Sequence, residues 1–385
     1  MSNTPLTILD LVPISSGSTA AEALRNSIEL AKYAEDLGYA RYWFAEHHLN
    51  PGVAGTSPAV VIALIAASTD RIRLGAGAVQ LGHRTALSTV EEFGLLDALH
   101  PGRVDLGLGR SGGRGKPGPG PGTARGAATV PPPPRREATV TPNGLLLPPP
   151  FDYTAVLGSP RFGLIGRLLQ QPGAHAQDYA EQIADILALL RGTFQAAEGV
   201  EAHVVPGEHA RIEPWILGSS AGESAQVAGS NGLRFAANYH VAPSNVVEAV
   251  DAYRAAFEPA ADTYGVTEPH VSVSADVVVA EDEHTARELA AGYGPWVRSI
   301  RTAEGAIPYP TPAEAALVPW TQADQDLVAD RLQTQFVGTA KQVADRLETL
   351  RDATGADELI VTTITHDHAD RVRSFELLAE EWETR

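Results

Sequence analysis

An acid and two histidines, Glu46, His47 and His48, follow directly on the apolar, aromatic run 42–45. A short run of this kind predicts a buried strand, and the Asn-Pro-Gly triplet at 50–52 predicts a turn just after it. Parallel α/β proteins present their sites at the carboxyl ends of strands. The arrangement therefore predicts a site at this strand end, the alternative being a polar strand end that is simply solvated.

A second candidate site is the stretch 218–222, Gly-Ser-Ser-Ala-Gly, between a predicted strand and a predicted helix from Ser224. It matches the G-x-S-x-G nucleophile elbow, in which Ser220 would be the nucleophile. His366 or His368 and an acid such as Asp276 would then complete a triad. The other interpretation is a phosphate cradle, built from serine hydroxyls and free N–H groups at the helix N-terminus. We favour the cradle because the early chain lacks a His-Gly-Gly-type oxyanion segment.

Arg110 ends another predicted strand and faces the same rim as the Ser219–Ser220 turn. A guanidinium there would clamp a phosphate through two hydrogen bonds. The alternative is a surface salt bridge, which is natural in so acidic a chain. The clamp is the interpretation we prefer.

Two further motif matches predict less. Residues 107–112 fit the dinucleotide fingerprint G-x-G-x-x-G, but a Gly/Pro-rich stretch follows where the fingerprint needs a helix. The pairs His47–His48 and His366–His368 suggest metal ligands. Adjacent strand residues point to opposite faces, however, and the second pair opens the last helix. We therefore predict neither a nicotinamide site nor a metal site.

The elements that must position these residues alternate regularly between strand and helix, which indicates parallel strands with crossover helices. Eight strands are predicted, which points to a single (β/α)8 TIM barrel over residues 1–385. The predicted strands are 6–12, the run around Trp43, 72–77, 104–108, 214–217, 233–237, 271–280 and 359–363. The predicted helices are 19–37, 58–68, 87–99, 178–190, one from Ser224, 246–264, 340–350 and 375–382.

Two insertions interrupt this alternation, one after strand 4 and one after strand 7. Residues 113–150 contain 11 of the 28 prolines and seven glycines. We expect no regular element there, only extended or polyproline segments. Residues 294–335 are predicted to be a second irregular insertion, and their prolines and aromatics suit a lid over a site.

Composition limits the class of protein. A net charge of −18 argues against nucleic acid and anionic lipid as partners. The chain has no cysteine, which excludes disulfides, thiolate metal sites and cysteine nucleophiles. No signal peptide is recognisable, and no apolar run approaches the ~20 residues that span a membrane. A cytoplasmic protein is expected.

Four motifs in order resemble the bacterial-luciferase-like flavin monooxygenases, over nearly the whole barrel. The resemblance is closest to oxygenases of actinomycete antibiotic pathways. These oxygenases consist of one kind of chain and receive reduced flavin from a separate reductase. The motifs are WFAEHH at 43–48, GAGAVQL at 75–81, LD at 96–97 with PGRVDLGLGR at 101–110, and WILGSS at 215–220.

The resemblance implies roles for individual residues. His47 matches the active-site histidine near the flavin C4a position, which manages protons. Gly77–Ala78 matches a non-proline cis peptide beneath the isoalloxazine. Arg110 matches the arginine on the flavin phosphate. Ser219 and Ser220 match the turn that cradles the same phosphate. Leu217 and Gly218 match the residues that line the approach to it.

The resemblance also implies the reaction. Reduced FMN from a separate reductase and O2 would form a C4a-peroxyflavin that oxygenates an organic substrate. An aromatic polyketide is our expected substrate, and a homodimer the expected assembly. Alternatives are an F420-dependent hydride-transferring oxidoreductase on the same barrel, a serine hydrolase through Ser220, and a flavin-binding protein without catalysis.

Overall fold

Eight parallel strands close into a barrel in the computed structural model, which describes residues 4–110, 137–174 and 177–385. The strands follow the order β1-β2-β3-β5-β8-β9-β10-β12, and β12 pairs with β1 to complete the ring. Every neighbouring pair in the ring is parallel, as in Ile8 with Tyr42 and Ser274 with Ile360. The predicted (β/α)8 barrel is confirmed, and all eight predicted strands form it.

The remaining strands lie outside the ring or extend it. A short β4 pairs with β5, β11 pairs with the second half of β10, and β6 and β7 form a separate antiparallel pair. The strands are β1 Leu6–Asp10, β2 Arg41–Phe44, β3 Arg73–Ala76, β4 Val79–Gln80, β5 Val104–Gly109, β6 Thr139–Val140, β7 Leu146–Leu147, β8 Glu213–Gly218, β9 Arg234–Asn238, β10 Val271–Ala280, β11 Phe336–Thr339 and β12 Glu358–Thr362.

Helices cover the outside of the barrel, and several begin with a Thr, Ser or Asp cap that satisfies free N–H groups of the first turn. They are α1 Ala20–Asp36, α2 Pro58–Ala66, α3 Ala86–Leu99, α4 Thr154–Leu157, α5 Pro160–Leu169, α6 Tyr179–Arg191, α7 Glu223–Ser230, α8 Val246–Ala255, α9 Glu283–Leu289, α10 Tyr293–Arg301, α11 Pro312–Ala316, α12 Gln322–Thr334, α13 Ala340–Thr354 and α14 His368–Glu383.

Large aromatic side chains and glycines fill the barrel interior together. Trp43 and Trp215 are buried, with ring centroids 5.1 Å apart. A Cβ on Gly75 would lie 2.8 Å from the Trp43 indole, and one on Gly107 would lie 1.8 Å from the Ala76 carbonyl oxygen. Gly107, the first glycine of the G-x-G-x-x-G match, is thus required by barrel packing. Ser111 and Gly112 of that match lie outside the described residues.

A buried charge network closes the amino-terminal end of the barrel. Arg41 Nη1 lies 2.9 Å from both Asp105 and Glu213, and its Nε lies 3.0 Å from Glu358. Arg73 adds a second cation on Asp105, at 2.6 Å. Because these residues begin their strands, the network leaves the carboxyl-terminal end free for a site.

The prediction of no regular element in 113–150 is wrong for its second part. The strands β6 and β7 form a hairpin there, and residues 113–136 lie outside the described residues. Gly144 has a φ of 97°, which a glycine accepts without strain, and Thr141 N–H donates to the Leu145 carbonyl. Turn chemistry at 141–144 therefore outweighs the high proline content of the segment.

The segment 294–335 is not irregular, contrary to prediction. It contains α11, α12 and nearly all of α10. Thr311 and Thr321 each form a reciprocal capping box at a helix start. The prolines of this segment stand in first turns or between helices, where they do not break a helix.

Three smaller differences concern element ends and missed strands. The helix predicted over 246–264 ends at Ala255. The strands β4 and β11 were not predicted. Within the described ranges, the structure contains no helix with the length and apolar character needed to cross a membrane.

Candidate active site

A cavity of about 610 Å³ opens at the carboxyl-terminal end of the barrel. Its wall combines apolar side chains, such as Leu9 and Trp296, with a limited number of polar groups. All the predicted site residues line this one cavity: His47, Gly77, Ala78, Arg110, Leu217, Gly218, Ser219 and Ser220. The tertiary structure thus brings together residues from β2, β3, β5 and β8 at one rim.

His47 lies three residues after β2, and its backbone N–H donates to the Gly55 carbonyl at 2.8 Å. Within the described residues its imidazole has no hydrogen-bond partner, so both ring nitrogens remain available at the cavity. Burial lowers the pKa of His47 below its usual value, His48 lowers it further, and Glu46 opposes both. At neutral pH the ring is therefore neutral and can accept a proton.

The peptide bond between Gly77 and Ala78 is cis, as the resemblance implies. Side chains approach this segment closely, since a Cβ on Gly77 would lie 2.8 Å from Leu9 Cδ1. A Cβ on Gly109 would lie 3.0 Å from that of Ala78. Close packing therefore favours glycine at both positions, and Gly77 and Ala78 also line the cavity.

Glu46 is the centre of a network that the sequence did not reveal. Its Oε1 lies 2.9 Å from His48 Nε2 and 3.0 Å from His83 Nε2, and Oε2 accepts from the Gln80 N–H at 2.9 Å. Gln80 Nε2 in turn donates to the Glu46 carbonyl at 2.6 Å. Burial alone would raise the pKa of Glu46, but the hydrogen bonds from His48, His83 and Gln80 lower it to about 2.

The same network accounts for a cluster with metal-ligand character. Ligand atoms of Glu46, His48 and His83 all lie within 4.8 Å of one another, where a metal ion could be held. Arg84 Nη2, 3.5 Å from Glu46 Oε1, already supplies positive charge to the carboxylate. His48 faces this cluster whereas His47 lines the cavity, so the two neighbouring histidines do not share a site.

The rim around Ser219 and Ser220 has the features of an anion site. The residue that precedes helix α7 is Gly222, which has no side chain to cap the helix. The first N–H groups of α7 therefore have no side-chain acceptor. Both serines are exposed at the cavity. Arg110 stands at the same rim, but its Nη1 lies 2.8 Å from Glu223 Oε2. The sequence suggested either a phosphate clamp or a surface salt bridge for Arg110, and the structure contains the salt bridge.

A buried polar atom beside this rim lacks a partner. The Tyr179 hydroxyl has no hydrogen-bond partner within the described part of the chain. It lies near Ser224, Arg110 and Glu223, which all influence its pKa. An unpaired buried hydroxyl next to free N–H groups and a guanidinium fits a site that a phosphate completes.

The triad of the hydrolase alternative is not assembled. Within the described ranges Ser220 has no histidine partner, and neither His366 nor His368 lines the cavity. The His366 ring lies 3.3 Å from Ser16 Oγ instead. Asp276 is bound by Tyr293 and Arg331. The serine hydrolase prediction is wrong for this geometry.

Sequence reasoning missed several cavity residues. His240 follows β9, Tyr153 comes from the segment before α4, and Arg331 belongs to α12. The position of His240 after a barrel strand was a usable signal, because that is where barrel sites lie. For residues on the inserted helices the sequence carried no such signal.

Comparison with known proteins agrees with the fold. The luciferase-like monooxygenase family matches residues 4–116 and 159–358. The protein YvbT of Bacillus subtilis (strain 168) is 34% identical over 386 residues, covering 100% of this chain and 98% of its own. A luciferase-like monooxygenase of Escherichia coli (strain K12) is 31% identical over 373 residues, covering 96% and 94%.

Solved structures share the fold. Apo-MsnO8 superposes with a TM-score of 0.76 at 30% identity and 99% coverage of both chains. Two more distant structures, which show the fold alone, hold different cofactors. The oxygenating constituent of 3,6-diketocamphane monooxygenase from Pseudomonas putida, with FMN, has a TM-score of 0.62 at 17% identity, covering 98% of this chain and 97% of its own. An F420-dependent secondary alcohol dehydrogenase has a TM-score of 0.57 at 13% identity, covering 99% of both.

The family match extends over most of the chain, and the relatives align along nearly their full length. The chain belongs to the luciferase-like monooxygenase family.

Proposed function

We propose that the protein is a two-component flavin-dependent monooxygenase, which uses reduced FMN from a separate reductase and O2 to oxygenate an organic substrate. The observation that carries the proposal is the gathering of His47, the Gly77–Ala78 segment and the Arg110–Ser220 rim around one cavity. We expect an oxygenase that uses FMN to need a proton-accepting group, a backbone segment beneath the flavin ring and an anion site for the phosphate.

The residues present fit FMN. Its phosphate would accept hydrogen bonds from the free N–H groups of α7, from the hydroxyls of Ser219 and Ser220, and from the guanidinium of Arg110. The unpaired Tyr179 hydroxyl beside the rim supports an anion there. Leu217 and Gly218 would line the approach, and Gly77 and Ala78 would support the ring. Reduced FMN, when bound, supplies the electrons that activate O2.

The chain's own residues would shelter the reacting atoms and take up a proton from them. His47, neutral and without a partner in the described structure, can accept a proton at a ring nitrogen. The helix α10 contributes Trp296 and Ile300 to the cavity wall, which supports our proposal that 294–335 acts as a lid that excludes water.

The remaining parts of the proposal rest on the family resemblance. They are a separate flavin reductase as partner, an aromatic polyketide as substrate and a homodimer as the assembly. F420 remains the alternative cofactor, because relatives of the same fold are named for either cofactor.

The decisive experiment follows the oxidation of chemically reduced FMN by O2 in a stopped-flow instrument, with and without the protein. We expect a time course that differs from that of free FMN, and a clear change of that course in His47→Ala. The exposed histidine variant His284→Ala is the matched control and should behave as the parent protein.

A time course identical to that of free FMN would contradict the proposal. The next assay would then be anaerobic turnover with reduced F420, which needs no oxygen. Turnover under those conditions would assign the protein to the hydride-transferring enzymes of this fold. FMN binding without any change in its oxidation would favour a non-catalytic flavin binder.

A further inference from the structure

A second polar group lies in the cavity wall, and the proposed chemistry does not use it. Asp276 on β10 and Arg331 on α12 are 6% and 7% exposed. Arg331 Nη2 lies 3.1 Å from Asp276 Oδ2, while its Nε and Nη2 donate to the Tyr293 hydroxyl at 3.0 and 2.7 Å. Tyr293 donates in turn to Asp276. The ion pair is therefore neutral overall and firmly held.

Arg331 nevertheless keeps one donor group free. Its hydrogen bonds use Nε and Nη2, and Nη1 has no partner within the described residues. A guanidinium carries donors on all three nitrogens and cannot lose its charge in a protein. Since Arg331 lines the cavity, Nη1 offers a hydrogen bond to whatever the cavity holds.

His240 supplies an acceptor at the same wall. Its Nδ1 lies 2.6 Å from Ser274 Oγ, and that hydroxyl donates to the Ala237 carbonyl at 3.4 Å. We assign the tautomer in which His240 Nδ1–H donates to Ser274 Oγ while the Ser274 hydroxyl donates to the Ala237 carbonyl. Nε2 then carries the lone pair, and within the described ranges it has no partner.

The protonation state of His240 matches this assignment. Burial lowers its pKa to about 4, with Asp276 raising it and with Arg331 and His47 lowering it. At neutral pH the ring is neutral, and in the assigned tautomer Nε2 accepts a hydrogen bond and donates none. Ser274 and Asp276 are alternate residues of β10, so their side chains share one face, and His240 on Ser274 therefore lies beside Arg331 on Asp276.

A neutral hydroxyl group satisfies both free groups at once. Its proton would be donated to His240 Nε2, and its oxygen would accept from Arg331 Nη1. A carboxylate would bring a second negative charge near Asp276 and direct only lone pairs at Nε2. A methyl ether has no proton to donate, so it would leave Nε2 buried without a partner.

We propose that His240 and Arg331 bind the hydroxyl group of a neutral organic substrate, with Asp276 and Tyr293 holding the guanidinium in place. The inference rests on the proposed function, because it names the substrate class of that same cavity. His240 and Arg331 would select the substrate, while His47 manages the proton.

The test is equilibrium dialysis of the protein, with excess oxidised FMN, against three probes of one shape: 2-naphthol, 2-methoxynaphthalene and 2-naphthoate. We expect 2-naphthol to bind about tenfold or more tightly than either analogue, since each analogue leaves a buried group unpaired. Equal affinity for naphthol and its ether, or no binding of any probe up to millimolar concentration, would overturn the proposal.

Variants then assign the preference to residues. In His240→Phe the ratio of naphthol to ether affinity should fall toward one with ether affinity retained, whereas the exposed control His284→Phe should keep the parent ratio. The paired variant Asp276→Asn with Arg331→Met removes both charges together, so no buried charge is left alone, and it should also lower the ratio. An unchanged ratio in His240→Phe would refute the role of this histidine.

The measurement involves no oxygen and no reductant, so it is independent of the oxygenase assay. A naphthol preference without accelerated or altered FMN oxidation would uphold the hydroxyl site and reject the monooxygenase. Altered FMN oxidation without a preference for naphthol would uphold the monooxygenase and reject the hydroxyl site.

Discussion

Arg110 Nη1 lies 2.8 Å from Glu223 Oε2, so the arginine assigned to a flavin phosphate is already paired with a carboxylate. Glu223 is also the first residue of α7, where its negative charge opposes a second anion. A phosphate must therefore compete with Glu223 for the guanidinium. The half-exposed position of this pair makes the exchange inexpensive.

The first prediction concerns this competition. Arg110→Ala should weaken FMN binding about 10- to 100-fold, the loss of one charged hydrogen-bonding group. Glu223→Gln should tighten it severalfold, because the competitor is removed. Riboflavin, which lacks the phosphate, should bind both variants as it binds the parent, and fluorescence titration measures the affinity of each protein for both ligands.

A matched control for Glu223 exists on α9. Glu283 also stands in a first helical turn and pairs with an arginine, Arg287, but it does not line the cavity. Glu283→Gln should leave FMN affinity unchanged. Equal effects of Arg110→Ala on FMN and riboflavin would contradict a phosphate role for this arginine.

The second prediction concerns Glu46. Its folded pKa of about 2 lies below the usual 4.5, so the network contributes stability above pH 4.5 and loses it as the pH falls toward 2. The difference corresponds to roughly 3 kcal/mol. Glu46→Gln should remove this part of the acid sensitivity, as measured by urea unfolding at a series of pH values.

Glu92→Gln is the control for that measurement, because Glu92 also binds Arg84 but is 40% exposed on its side chain. Its effect should stay within ~0.5 kcal/mol. If Glu46→Gln and the parent lost stability equally between pH 4.5 and 2, the carboxylate would not be the group that titrates.

The third prediction concerns the charge network at the other end of the barrel. The Asp105 carboxylate is fully buried and accepts from Arg41, Arg73 and the Trp43 indole N–H. Asp105→Asn leaves buried positive charge under-compensated and should lower the free energy of unfolding by about 3–5 kcal/mol. The exposed variant Asp352→Asn should change it by less than ~0.5 kcal/mol. A small loss of unfolding free energy in Asp105→Asn would contradict this prediction and show that Glu213 and Glu358 alone compensate the charges of the two arginines.

The fourth prediction concerns the expected homodimer. Large apolar side chains of α2 and α3 are exposed, among them Val60 and Leu95, each 59% exposed. The two helices pack side by side, so they offer one apolar face to a second copy. Val60→Glu combined with Leu95→Glu should convert the dimer to a monomer in light scattering. Leu317→Glu, at an 83% exposed position elsewhere, should not.

The barrel, and the rim on which the candidate site lies, could be predicted from the amino-acid sequence. Short apolar runs that alternate with amphipathic segments specify strand and helix locally, and parallel connection then places every strand's carboxyl end at one rim. His47, Arg110 and Ser220 each end a predicted strand, so their convergence on one cavity followed from topology.

The tertiary structure alone decided what those residues contact. Glu46 finds His83 across 37 positions, and Arg331 reaches Asp276 across 55, and no local pattern encodes either pair. The Pro-rich segment before residue 150 and the helices of 294–335 were misjudged because turns and caps outweigh composition. Periodicity records which face of an element is buried, whereas the partner of a buried charge depends on which distant elements pack against that face.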